Sequence, residues 1–190
     1  MKRYILGLLF LINLSTHANS DEIISKIETN WNQIETMSGH FKQEDSEGVI
    51  SYGDFYFLKP YQSKFVYKDR SENIITNESL LVIVDREDYK IESYAIGNNV
   101  LKKLLSNNLS IDEQFNLINF KSSDDEYTLQ LIIKNNDSNQ IDISFDKNSL
   151  DIKKWEIYDE FQNKTVLEFT KIKKNIFISQ KLFVVKYKQN

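Results

Sequence analysis

Carboxylates are the side chains in this 190-residue chain that come closest to an arrangement for catalysis. Two neighbouring Asp or Glu residues can act as a general acid and base, as in glycoside hydrolysis. Asp124 and Asp125 are adjacent, and Asp85 and Asp88 are three residues apart. All four fall in predicted turns, where aspartate is common because its side chain bonds the local backbone. We therefore interpret them as solvated turn residues, and an acid/base hydrolase is an alternative only.

Other residues used in catalysis and metal binding are scarce. The chain has no cysteine, which excludes disulfides, thiolate metal sites and cysteine nucleophiles. Its two histidines are His17 and His40. Because His17 lies in the predicted signal peptide described below, the mature protein would keep one histidine, which alone does not make a histidine zinc site. His40 follows Gly39 at the end of a predicted helix, so we expect a surface or capping role. Neither a Gly-x-Ser-x-Gly elbow nor a glycine-rich phosphate loop occurs, so no metal, cofactor or catalytic residue is predicted.

The first twenty residues follow the three-part pattern of a secretory signal peptide. Met1-Lys2-Arg3 is a basic start, residues 4–14 form an almost unbroken apolar run, and small and polar residues follow. The run is too short to span a bilayer, which needs about 20 apolar residues. We expect cleavage after Ala18 or Ser20, which leaves residues 21–190 as one exported domain. A buried N-terminal helix is the alternative. Without a cysteine at the cleavage site, no lipid anchor is expected.

Composition limits the classes of partner. The formal net charge is −4, and removal of residues 1–20 with Lys2 and Arg3 makes it −6. A mildly acidic chain without a basic run is a poor candidate for nucleic acid, whose binding requires cations that neutralise phosphates. It is also a poor candidate for static adhesion to anionic lipid. We expect a monomer that does not bind nucleic acid.

Three helical segments are predicted. Apolar residues from Ile23 to Met37 recur every three or four positions, and Gly39 is expected to end this helix. The spacing between Val100 and Leu105 indicates a second helix. A third is expected to start at Ser110 and to carry Phe115 and Leu117.

Strand patterns dominate the rest of the chain. Apolar residues alternate along short segments that turn-forming residues separate. The predicted strands contain Phe55–Phe57, Phe65–Tyr67, 80–84, 89–96, 127–133, 141–145, 155–158, 165–172 and 176–187. Consecutive strands at this spacing predict an α+β domain whose antiparallel sheet curls into an incomplete barrel. Helices would cover the open side. Composition alone favours a simple packed core over a ligand cavity, because stripes of aromatic residues usually belong to a core.

The order of several motifs resembles the LolA-type periplasmic lipoprotein carriers. Thr36–Gln43 after the first helix is similar to the family's small-Met-x-x-x-Phe-x-Gln entry to its first strand, and Gly53–Pro60 to its Gly-x-hydrophobic strand ending in Arg-Pro. Phe65–Tyr67 resembles the aromatic strand that follows. Residues 99–105 and the later segments 124–131 and 155–169 match in order. Lys59 stands in place of the family arginine, Ser63 in place of an apolar residue, and Gln162 in place of a turn glycine.

The resemblance implies an apolar cavity between the half-barrel and a helical lid. The lining that it implies comprises Trp31, Ile34, Met37, Phe41, Phe55, Phe57, Phe65, Tyr67, Leu81, Ile83 and Leu104. Lys59 would act as the lid latch. The implied function is to accept acylated lipoproteins from an inner-membrane ABC release complex and to deliver them to an outer-membrane receptor or to the outer membrane directly. The protein would be soluble in the periplasm of a Gram-negative bacterium. A half-barrel that binds another lipid (a glycolipid or hopanoid), or that senses mislocalised lipoproteins, is the alternative.

Overall fold

The strands form one antiparallel sheet, and a few helical segments accompany it. A computed structural model describes residues 14–88, 90–97, 99–135, 140–159 and 161–185, with the backbone alone for 14–19. The helices are α1 (Leu14–Asn32), α2 (Val100–Leu104), α3 (Ile111–Gln114) and a 3-10 helix (Gln180–Phe183). The strands are β1 (Thr36–Glu44), β2 (Ile50–Leu58), β3 (Gln62–Tyr67), β4 (Glu72–Thr76), β5 (Leu80–Asp85), β6 (Ile91–Ala95), β7 (Phe115–Ser122), β8 (Glu126–Ile133), β9 (Gln140–Asp146), β10 (Ile152–Tyr158) and β11 (Lys164–Lys174).

The sheet is open. Its strand order is β6-β5-β4-β3-β2-β1-β11-β10-β9-β8-β7, and every described pair is antiparallel. The first and last strands of the chain pair in the middle, so β6 and β7 become the two edges. The part of the chain that connects β6 to β7 contains α2 and α3. These helices therefore lie at the open side of the sheet. The predicted fold class, an incomplete antiparallel barrel with helices, is therefore confirmed.

Two glycines make room for two phenylalanines at the centre of the sheet. Gly39 of β1 lies opposite Phe55 of β2, and Phe41 of β1 lies opposite Gly53. A Cβ atom on Gly39 would lie 2.8 Å from the Phe55 ring, and one on Gly53 would lie 2.5 Å from the Phe41 ring. Each ring therefore occupies the space left by the glycine across from it, which sets the spacing of the inward aromatic side chains.

The first helix ends earlier than predicted. It stops at Asn32, whereas Gly39, which was expected to end it, lies within β1. Asn175 explains the break, because its side chain accepts a hydrogen bond from Glu35 N and donates one to Gln33 O. From Thr36 onward the backbone pairs with β2 and β11. The helix spacing was misleading because residues on both sides of the break face the same core.

Two further predicted elements are wrong. The helix expected to carry Phe115 and Leu117 ends at Gln114, and both residues belong to edge strand β7. Ser110 does cap this short helix by accepting a hydrogen bond from Glu113 N. The strand expected at 176–187 is an extended segment with a 3-10 helix as far as it is described. The predicted signal peptide lies mostly outside the described residues.

Candidate binding cavity

A cavity of about 190 Å³ lies between the curled sheet and α2. Strands from both halves of the sheet contribute to its wall, which shows that the sheet bends around it. The segment that leads into α2, with α2 itself, forms the roof. The lining residues are Phe65, Tyr67, Ile74, Thr76, Leu81, Ile96, Asn99, Val100, Leu101, Leu104, Ile141, Trp155, Ile157 and Leu167.

The lining is almost entirely apolar. Its two residues with aliphatic polar side chains, Thr76 and Asn99, already have hydrogen-bond partners. Thr76 Oγ1 lies 2.6 Å from the buried Ser63 Oγ, and Asn99 Oδ1 accepts a hydrogen bond from Leu101 N at the start of α2. The Tyr67 hydroxyl donates to Gln43 Oε1, whereas the indole Nε1 of Trp155 is buried without a partner among the described residues. A polar ligand could accept a hydrogen bond from this indole, but it would otherwise give up hydrogen bonds to water without gaining equivalent ones, which is costly. The cavity therefore favours hydrocarbon.

Aromatic rings form a continuous layer behind one wall. Phe57 stacks on Trp155 with ring centroids 5.6 Å apart and meets Phe65 edge-on at 5.8 Å. Phe41 contacts both Phe65 and Tyr67 edge-on, at 5.4 and 5.0 Å. Such offset and edge-to-face pairs add to the free energy of burial. This wall is therefore expected to be rigid, and shape changes are expected at the roof.

The predicted lining residues fall into three groups. Phe65, Tyr67, Leu81 and Leu104 line the cavity. Ile83 is half-buried on the same face as Leu81 and pairs with Ile74, which lines the cavity. The other six are buried in the adjoining core instead, and they are Trp31, Ile34, Met37, Phe41, Phe55 and Phe57.

The residues of the opposite wall were not predicted to line the cavity. Ile141, Trp155, Ile157 and Leu167 belong to strands that were predicted, and their alternation marks which side chains share a face. The pairing of β1 with β11 brings these strands around to the cavity. The roof residues Ile96, Val100 and Leu101 also lacked an assignment.

Hydrogen bonds tie α1 to the roof. The Trp31 indole Nε1 donates to Leu104 O over 2.7 Å, at the end of α2. The Asn32 side chain donates a hydrogen bond to Leu109 O and accepts one from Leu109 N. Glu28 Oε1 accepts a hydrogen bond from Ile111 N. Because α1 packs on the inner face of the sheet through Ile27 and Trp31, these bonds fix the roof relative to the sheet.

Lys59 joins the end of β2 to the last turn of α1. Its Nζ donates to Trp31 O over 2.6 Å and lies 5.0 Å from the centroid of the Trp31 ring. A cation suits this position because the carbonyl end of a helix is partly negative. Burial lowers the pKa of Lys59 from 10.5 to about 8, since a low-dielectric environment disfavours the charged amine.

The lowered pKa of Lys59 predicts a pH dependence of stability. Below pH 8 the folded protein bears the cost of a charged buried amine. Between pH 8 and 10.5 the folded state releases a proton that the unfolded state keeps, so the free energy of unfolding should rise with pH. After allowance for solvent screening we expect a rise of about 1 kcal/mol. Urea unfolding of the parent protein and Lys59→Met tests this, with Lys121→Met at an exposed site as control. Equal pH slopes in the parent and Lys59→Met would contradict it.

The aspartates considered for the alternative acid/base hydrolase lie away from the cavity. Asp88, Asp124 and Asp125 are exposed in turns, and Asp85 ends β5. Backbone hydrogen bonds from Asp88 and Glu87 help to lower the pKa of Asp85. Among the described residues, no group of three or more acidic, histidine or cysteine side chains could hold a metal ion. In the same part of the chain, none of the helices has the length and apolar character needed to cross a bilayer.

Comparison with known proteins agrees with this geometry. The family model for the outer membrane lipoprotein carrier protein LolA matches residues 32–186. The chain belongs to the LolA family. This family consists of binding and carrier proteins rather than enzymes, and membership supports a protein of the lipoprotein-binding or sorting type.

The proteins and solved structures that resemble the chain are distant in sequence. The chain is 24% identical over 177 residues to an uncharacterised protein of Rickettsia prowazekii (strain Madrid E), covering 93% of this chain and 82% of that protein. A candidate outer membrane lipoprotein-sorting domain from Vibrio parahaemolyticus has a TM-score of 0.52 at 12% identity, covering 85% and 94% of the two chains. An uncharacterised conserved protein from Thermus thermophilus has a TM-score of 0.51 at 10% identity, covering 87% and 92%. These structures share the fold.

Proposed function

We propose that this LolA-family chain is a periplasmic carrier that binds lipoprotein acyl chains in its cavity. Residues 1–20 would direct export, and the carrier would take lipoproteins from an inner-membrane ABC release complex to an outer-membrane receptor or to the outer membrane itself. The observation that carries the proposal is the apolar cavity under α2, in which Thr76 and Asn99 already have partners. Hydrocarbon can fill it without leaving either side chain unpaired.

The size of the cavity constrains how cargo is held. A volume of about 190 Å³ is little more than the 150 Å³ of an engineered cavity that binds benzene. The cavity therefore suits a segment of roughly six carbons, not a whole acyl chain. At about 0.8 kcal/mol per methylene, such a segment would contribute about 5 kcal/mol. This is a reversible hold, as a carrier requires.

Burying more of the chain than such a segment requires the roof to move. The bonds from Trp31, Asn32 and Glu28 would have to break if α2 and α3 lifted away from α1. Each is worth about 1 kcal/mol net, and those to charged groups more. Opening would thus cost several kcal/mol, about what one buried chain segment returns. In this proposal Lys59 is the latch, because it holds the end of α1 against β2.

Adjacent leucines in β5 provide a direct test. Leu81 lines the cavity, whereas Leu80 is exposed on the other face of the same strand. Leu81→Glu would place a charge in an apolar wall, and we expect it to weaken binding of a fluorescent palmitoyl probe at least 100-fold. Leu80→Glu makes the same chemical change outside and should alter binding less than twofold.

The controls separate loss of binding from loss of structure. Circular dichroism and thermal unfolding should show both Leu81→Glu and Leu80→Glu folded, and Leu81→Gln is the milder replacement if Leu81→Glu unfolds. Equal probe binding by the two glutamate variants would place the acyl site elsewhere. Binding of a glycolipid or hopanoid in preference to the palmitoyl probe would favour the alternative half-barrel function.

A further inference from the structure

The C-terminal part of the chain differs in charge from the rest. Residues 170–190 contain six lysines and no acidic residue, in a chain whose formal net charge is −4. Lys171, Lys173 and Lys181 are exposed, and none of them forms an ion pair within the part of the chain that the structure describes. Lys174 differs because it pairs with Asp151 at 2.5 Å. The chain as a whole is therefore acidic, whereas its C-terminal part is locally cationic.

The fold brings these three lysines to the outer side of the sheet. Lys171 has a left-handed backbone (φ 51°), which shifts the alternation of β11 so that Ile172 packs against the core. Lys171 and Lys173 consequently point away from the cavity. The segment Ile176–Val185, the C-terminal strap, then crosses the outer face, where Leu182 O accepts a hydrogen bond from Lys64 Nζ. The strap carries Lys181 on the same side.

An exposed aromatic residue lies between the lysines along the chain. Phe177 is 94% exposed, although such a ring would normally be buried. Its position is fixed by the residues before it, since Ile176 O accepts from Thr36 Oγ1 and Asn175 bonds both Gln33 and Glu35. Phe177 therefore projects from an anchored point of the strap. Two carboxylates lie beside the strap, because Glu35 is on the adjoining turn and Asp85 lines a groove with Lys181 and Arg86. Cations outnumber them, since Arg86 adds to the three unpaired lysines.

We propose that Phe177 with Lys171, Lys173 and Lys181 forms a docking surface for an anionic phospholipid bilayer. A phenylalanine ring inserts at the boundary between headgroups and acyl chains, and each lysine near an anionic surface strengthens binding about fivefold. One projecting ring among lysines fits this layer better than a protein interface, which needs a broad complementary patch. The acidic remainder of the protein keeps the contact transient. This surface is outside the cavity and does not depend on what the cavity holds.

Vesicle binding tests the lysines. The purified protein should float with phosphatidylcholine/phosphatidylglycerol vesicles at low salt, bind less at high salt, and bind little to pure phosphatidylcholine. The variant with Lys171→Gln, Lys173→Gln and Lys181→Gln should bind about 100-fold more weakly. The control with Lys90→Gln, Lys121→Gln and Lys164→Gln loses the same charge elsewhere and should change less than threefold.

A second pair of variants tests the aromatic residue. Phe177→Ser should weaken vesicle binding at least tenfold, because the inserted ring is lost. Phe161→Ser removes a comparably exposed ring in the β10–β11 turn and should have no effect. Equal binding within either matched set, or equal binding to neutral vesicles, would overturn the proposal. Binding to heparin or DNA without vesicle binding would also overturn it, since the surface would then serve a soluble polyanion.

Discussion

Gly53→Ala is expected to lower the free energy of unfolding by about 3 kcal/mol, at the upper end for overpacking of a core. A Cβ at this position would lie 2.2 Å from Val66 O and 2.5 Å from the Phe41 ring. The ring could turn, but the carbonyl belongs to β3, which pairs with β2 through Val66 and Asp54. Relief of the clash therefore requires β2 and β3 to separate. Urea unfolding of the two proteins measures the difference.

The matched control for this substitution is another glycine in open space. Gly48 has no atom within 4 Å of a built Cβ, and its φ of +80° is one that asparagine tolerates. Gly48→Asn should change the free energy of unfolding by less than about 1 kcal/mol. If Gly53→Ala were as mild as Gly48→Asn, the reciprocal packing of glycine and phenylalanine between β1 and β2 would be wrong.

Trp31→Ala is expected to cost about 4 kcal/mol, in the range for removal of a buried tryptophan. Trp31 is 3% exposed, and it connects three parts of the molecule. Its Nε1 donates to Leu104 O in the roof, its ring lies under Lys59 Nζ, and its own carbonyl accepts from that amine. Thermal and urea unfolding would measure the loss of stability.

Trp31→Phe separates the hydrogen bond from the packing. It keeps an aromatic ring but leaves Leu104 O without the indole donor, which should cost about 1–2 kcal/mol. The roof should also open more often, so hydrogen exchange of the Leu105 amide should speed up about tenfold relative to amides of β9. Unchanged exchange in α2 would show that the Trp31 bond does not hold the roof closed.

Alternation was sufficient to predict most strands of the sheet. Phe55 and Phe57 were expected on one face, and both are buried on the inner side of β2. The period of two is reliable here because one face meets the core and the other meets water. Strand β4 (Glu72–Thr76) was missed, because it is short and begins with polar residues. Its pairing with both β3 and β5 decides its conformation.

The end of α1 and the conformation of the C-terminal strap depend on contacts between residues that are far apart in the sequence. The break after α1 is made by Asn175, about 140 residues away in sequence. Residues 176–187 alternate like a strand, but β11 already has β1 and β10 as neighbours and no sheet edge is free beside it. The described strap instead lies across the sheet, where Phe183 is buried. Periodicity shows which residues are apolar, but it does not show against which surface they pack.

An apolar cavity was predicted, but only some of the residues that line it were. The aromatic residues expected at the lining are buried together, yet Phe41, Phe55 and Phe57 form the layer behind the wall rather than the wall itself. The opposite wall comes from Ile141, Trp155 and neighbours, which only the closure of β1 on β11 brings near. A cavity is the space that packing leaves unfilled, so its outline follows from the whole topology.

The central claim is that the cavity carries lipoprotein acyl chains. Its most direct test is native mass spectrometry of the protein purified from the periplasm of its host, with Leu81→Glu and Leu80→Glu prepared in parallel. We expect adducts whose masses match di- or triacylated lipoproteins on the parent protein and on Leu80→Glu, and none on Leu81→Glu. Equal adducts on all three proteins, or a bound glycolipid or hopanoid in place of lipoprotein, would contradict it.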